Sequence, residues 1–67
     1  MQNKIRVLRA ERKWSQAELA ERVSVSRNSI NSIENGHFEP SLSLAFAIAH
    51  AFVSKVEDVF HWTPPRA

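Results

Sequence analysis

The chain has no cysteine, no tyrosine, a single glycine (Gly36) and three prolines in 67 residues. Without cysteine there is no disulfide framework and no thiolate metal site, which excludes a small secreted scaffold held by bridges. So few glycines and prolines leave few places where a helix must break. Long apolar runs are missing too: "LAFAIAHAFV" is far short of the ~20 residues that span a bilayer. Lys4, Arg6, Arg9, Arg12 and Lys13 punctuate the N-terminal segment, so nothing there resembles a signal peptide. His37, His50 and His61 match no compact ligand spacing, and no nucleophile, base and orienting group form a motif. The reading is a soluble cytoplasmic chain that is not an enzyme, with no metal, no cofactor, no small-molecule ligand and no membrane contact.

What is present is one domain, 1–67. A chain this short buries only about 60% of the surface its unfolded form exposes, leaving room for one small core. The net charge is +2, but it is lopsided. Residues 1–27 hold seven cations against three glutamates, and residues 28–67 hold two cations against four acids. A basic half beside an acidic half points to one face that meets polyanions.

The apolar spacing predicts five helices. Asn3 is placed to cap the first, with Ile5 and Leu8 inward and an end near Lys13. Ser15-Gln16-Ala17-Glu18 has the form of a capping box, and Trp14 and Leu19 stand at hydrophobic-staple spacing around it. Ser26 caps a third helix with Ile30 and Ile33 inward, stopped by Asn35-Gly36. Pro40-Ser41 begins a fourth, with Leu44, Ile48 and Phe52 on one stripe beside small Ala45 and Ala49. Ser54 or Lys55 opens a short fifth, and "HWTPPRA" cannot continue it past Thr63. The expected fold is all-α, a compact five-helix domain with a short extended C-terminal tail.

"VSVSRNSINSIENG" changes its period from two to helical halfway through. Val23 closes helix two, Ser24 turns, Val25 plugs the core and Ser26 caps helix three. Residues 16–35 thus form a helix-turn-helix. With Ile30 and Ile33 inward, Asn28, Asn31, Ser32 and Asn35 face out, flanked by Arg27. A merely solvated face would favour Glu, Lys and Gln, which form helices better than Asn and Ser. Asn and Arg instead carry the forked geometry that pairs with adenine and guanine edges in the major groove. Arg27, Asn28, Asn31 and Ser32 are therefore the candidate base readers.

Placed this way, "SQAELAERVSVSRNSINSIENG" resembles the phage-repressor-like (Cro/cI or Xre) helix-turn-helix family of transcription regulators. The resemblance runs from "KIRVLRAERKWSQAELAE" to "VEDVFHW". Leu19, Val23, Val25, Ile30 and Ile33 take the family's apolar positions, and Ala20 is the small residue at the helix crossing. Ser24 and Val53 depart from it, each standing where the family commonly has glycine. A left-handed non-glycine costs roughly 1–2 kcal/mol. The length and ending look like the smallest members, with no sensor domain.

The resemblance implies a lambda-repressor-like DNA-binding fold and a nucleoid-associated protein of prokaryotic or phage origin. It further implies phosphate contacts from Gln16, Asn35 and His37, with Lys13 and Ser29 as additional candidates. Arg9 and Glu34 are implied to be a structural pair that orients the recognition helix. Apolar Val59, Phe60 and Trp62 follow a fourth helix that is apolar on nearly every side, and a small monomer cannot hide them all. A homodimer joined through about 53–67 on a near-palindromic double-stranded operator follows, with repression as its use. The rival readings are an antitoxin that also inhibits a partner protein, and a protein-interaction adaptor on the same fold. Only "TPPRA" remains for a toxin, and an adaptor has little need of Arg27 and Asn28 above a basic helix one.

Overall fold

Serine starts three helices of the computed structural model, which describes residues 1–65. Ser15, Ser26 and Ser41 each accept a hydrogen bond from the amide three residues on, at 3.0, 3.1 and 3.1 Å. They begin α2 (Gln16–Arg22), α3 (Arg27–Glu34) and α4 (Leu42–Ala51). Glu18 stays exposed, so the forward half of the capping box carries α2. Before them lies α1 (Ile5–Arg12), and after them α5 (Val56–Val59). The cap position of α1 is Lys4, not Asn3. Asn3 still accepts from the Ile5 amide at 3.2 Å, and its own amide donates to the Ile33 carbonyl at 2.9 Å.

Four helices end in the same way. Lys13, Ser24, Gly36 and Val53 all have positive φ, at 57°, 61°, 76° and 52°. In each case this residue's amide bonds back three residues and the next amide bonds back five, as Val25 does to Ala20 at 3.0 Å. This is the Schellman stop, which prefers glycine at the left-handed position. The chain has one glycine, so three stops fall on side-chain-bearing residues.

The core is Ile5, Leu19, Ala20, Ile30, Ile33, Ala45, Ile48, Ala49, Phe52, Val59 and Phe60. Leu8, Trp14, Val23, Val25 and Leu44 pack against it from the edge. Trp14 stacks on Phe52, ring centroids 5.5 Å apart, which ties the start of α2 to the end of α4. Arg12 donates to the Phe52 carbonyl at 2.6 Å and lies over both rings, and Arg22 covers Trp14.

The C-terminal end differs from the reading of the sequence. α5 is a single turn, and Phe60–His61 then forms β2, paired antiparallel with β1 (Gln2–Asn3). Gln2 faces His61 and Asn3 faces Phe60, while the Lys4 amide reaches the Val59 carbonyl at 2.8 Å. This two-stranded ribbon turns Val59 and Phe60 into the core, where they are 0% and 6% exposed. They are not surplus interface residues, because pairing with the N-terminal strand gives them an interior. Trp62, 69% exposed, remains outside, as do Leu42 and Phe46 of α4.

Candidate nucleic-acid interface

α3 buries Ile30 and Ile33 and exposes Arg27, Asn28 and Asn31 on the opposite side. Ser29 and Ser32 sit half-buried at the edges of that face. Asn28, Ser29, Ser32, His37 and Phe38 line one shallow depression along it. The Ser29 hydroxyl is 3.0 Å from the Ser26 hydroxyl and is thereby engaged at the cap of α3. Lys13, Asn35 and His37 are exposed at the ends of α1 and α3.

Behind this face sits a polar cluster centred on Glu34, whose side chain is 1% exposed. Arg9 grips it with both forks: Nε donates to Oε2 at 2.6 Å and Nη2 to Oε1 at 3.1 Å. The third Arg9 nitrogen donates to the Trp14 carbonyl at 2.8 Å, so one guanidinium joins α1, the start of α2 and the end of α3. Burial pushes the Glu34 carboxyl upward. Hydrogen bonds from Arg9 and Gln16 and the charges of Arg9 and Arg6 outweigh it, leaving the group below the ordinary carboxylate value. The hydrogen bond to Glu34 raises the Arg9 pKa in turn, against the cost of its burial.

Gln16 is drawn into this cluster. Its Nε2 donates to Glu34 Oε1 at 3.2 Å and to Asn31 Oδ1 at 3.1 Å, which occupies both amide hydrogens. Asn35 Nδ2 donates to the same Asn31 oxygen at 3.3 Å, and Arg6 Nη2 donates to Asn35 Oδ1 at 3.3 Å. Arg6 also lies 3.6 Å from Glu34. The sequence reading assigned Arg6 no part. The available signal was its position three residues before Arg9, which sets both on one face of α1.

A helix-turn-helix family model matches residues 5–57 of the chain. The chain belongs to that family. An HTH-type transcriptional regulator of Methanocaldococcus jannaschii is 47% identical over 60 residues, covering 90% of this chain and 91% of the relative. The regulator YgzD of Bacillus subtilis is 48% identical with the same two coverages. An immunity repressor of Bacillus phage phi105 is 38% identical over 56 residues, 84% of this chain and 39% of the repressor. Among solved structures, the clp gene regulator ClgR of Corynebacterium glutamicum superposes with a TM-score of 0.75 at 33% identity. That superposition takes in 81% of this chain and 57% of ClgR, so the domain spans little more than half of that chain. This helix-turn-helix protein is therefore a DNA-binding transcriptional regulator of mostly helical fold, and no helix among its described residues is long and apolar enough to cross a membrane.

Proposed function

We propose that this regulator binds double-stranded DNA sequence-specifically as a homodimer, lays α3 in the major groove and acts as a repressor. The observation that carries the proposal is the exposed row Arg27, Asn28 and Asn31 on a helix whose other side is locked into the core. Such a row offers forked donors to base edges, and the rigid backing fixes their register. Ser32 borders the row. Asn35 and His37 stand at its C-terminal end and Lys13 at the end of α1, exposed to flanking phosphates. The Ser29 hydroxyl borders the cap of α3, and the Gln16 side chain has both hydrogens engaged, so a phosphate at the start of α2 would meet the free first-turn amides there.

An eight-residue recognition helix reads only a few base pairs, and a twofold dimer doubles the site. The apolar side chains left exposed for a second copy include Trp62 near the C-terminal end and Leu42 and Phe46 on α4. Repression is supported by the similarity to a phage protein named as an immunity repressor. Selection of bound duplexes from a random pool tests the whole reading. It should return a near-palindrome with half-sites about one helical turn, ~10 bp, apart. Sedimentation should show a dimer on that duplex. Failure to enrich any sequence would overturn sequence-specific binding, and a monomer on an asymmetric site would overturn the dimer.

A further inference from the structure

Asn31 lies where two hydrogen-bond chains meet, and the far end of each has fixed polarity. One chain starts at Glu34, a buried carboxylate held ionised by Arg9, which can only accept. Gln16 must therefore turn its NH2 toward Glu34 Oε1, and the same nitrogen lies 3.1 Å from Asn31 Oδ1. The other chain starts at Arg6, which can only donate. It takes up Asn35 Oδ1 at 3.3 Å, so the Asn35 NH2 faces Asn31 Oδ1, also at 3.3 Å. Both chains demand an oxygen at the inner side of the Asn31 amide, and reversing that amide would set NH2 against NH2 twice.

The Asn31 oxygen accepts two hydrogen bonds, which is the capacity of its lone pairs. Its NH2 is left on the exposed side of α3 with two hydrogens. We propose that Asn31 is a donor-only reader that selects guanine. Guanine alone shows two adjacent acceptors, N7 and O6, on its major-groove edge. The paired recognition of adenine expected for a free asparagine needs the amide oxygen to accept from adenine N6, and here that oxygen is taken. Asn31 therefore differs from its neighbour Asn28, whose amide forms no such bond among the described residues. The inference rests on the proposed reading of DNA by α3 and specifies its chemistry at one position.

The test compares duplexes selected by the full wild-type chain with those selected by Asn31→Asp. The aspartate keeps an oxygen for Gln16 and Asn35 and turns a second acceptor outward. The one pair whose preference differs should change from guanine to cytosine, whose N4 donates. Wild-type protein should also bind an operator carrying 7-deazaguanine at that pair about tenfold more weakly, a measurement that does not depend on the variant folding. Adenine selected at that pair, no difference between the two selections, or full affinity for the 7-deaza duplex overturns the inference while leaving DNA recognition by α3 intact. No enrichment by the wild-type chain overturns the DNA reading itself, and the inference with it.

Discussion

Residues 3–35 and residues 42–62 share one apolar core but differ in their side-chain hydrogen bonds. The first region, from Asn3 through α3, is cross-linked by side-chain hydrogen bonds between distant residues, with Arg9, Gln16, Glu34 and Asn31 at the centre. The second, from α4 to Trp62, is held by apolar burial around Ile48, Phe52, Val59 and Phe60, plus one long-range side-chain tie from Arg12 to the Phe52 carbonyl and the backbone bonds that join it to β1 and Lys4. Hydrophobic contact is non-directional, so it stabilises without aiming a side chain. Hydrogen bonds between fixed donors and acceptors aim side chains while adding little net stability. Both halves contribute to the core, but the directional side-chain contacts are concentrated in the half that carries the candidate base readers.

The sharpest way to break this division is to place a charge in the apolar half. Phe60→Asp buries a carboxylate against Val59 and the β1–β2 ribbon, at a cost of several kcal/mol. A domain of this length is stable by roughly 3–10 kcal/mol, so the variant should be largely unfolded by circular dichroism. Trp62→Asp, on the exposed side of the same strand end, should stay folded within about 0.5 kcal/mol and lose self-association in sedimentation. A folded Phe60→Asp would show that the ribbon does not anchor the core.

The next effect belongs to the polar half. Glu34→Ala strands Arg9, which is largely buried, and should cost about 3–5 kcal/mol in thermal or urea melts. Arg6→Ala, at a side chain 69% exposed, should cost less than about 1 kcal/mol. The folded Glu34 pKa lies below its unfolded value of about 4.3, so its contribution is whole above that pH. It disappears as the pH falls through the lower folded value. The stability gap between wild type and Glu34→Gln should therefore close on acidification; a gap constant down to pH 2 would mean that the carboxylate charge is not what Arg9 holds.

Much of the polar half's local structure is legible in the sequence, because the serine caps at 15 and 26 and the stop of α3 at Gly36 depend on residues three to five apart. The helix-turn-helix and its outward Arg27 and Asn28 follow from the same short spacings. The interior of Val59 and Phe60 was not legible. It depends on a strand pair joining residues 2–3 to residues 60–61, and no local pattern records a partner that distant. Nor could spacing show the inward turn of the Gln16 amide, since its partners come from α3 and its polarity from a carboxylate gripped by α1. The pattern marks which residues face out, but the network decides which atom each presents.

A smaller effect separates aiming from stability within α3 itself. Arg27 is exposed, so Arg27→Ala should leave the melting temperature nearly unchanged. It should cost about 1–3 kcal/mol of binding on the selected duplex and relax the preference at one base pair per half-site. Paired binding isotherms on the selected and a scrambled duplex check this. Equal losses on both duplexes would make Arg27 a phosphate contact.

The smallest effect tests a turn inside each half, where the scarcity of glycine leaves Ser24 and Val53 in left-handed conformations. Val53 is the more strained, because its branched Cβ meets the following carbonyl at φ 52°, and at 90% exposure no packing compensates it. Replacing it with glycine removes roughly 1–2 kcal/mol of strain and adds about 0.5–1 kcal/mol of unfolded-state entropy. Val53→Gly should therefore stabilise the domain by up to about 1 kcal/mol, raising the melting temperature by roughly 4–8 °C for a domain this small. Ser24→Gly should act in the same direction with a smaller gain, since serine is not branched by a second carbon. The Schellman bonds from Val53 to His50 and from Ser54 to Ala49 do not involve the side chain, so the stop itself survives the change. A Val53→Gly protein that melts at or below the wild-type temperature would show that the link from α4 to α5 stores no strain.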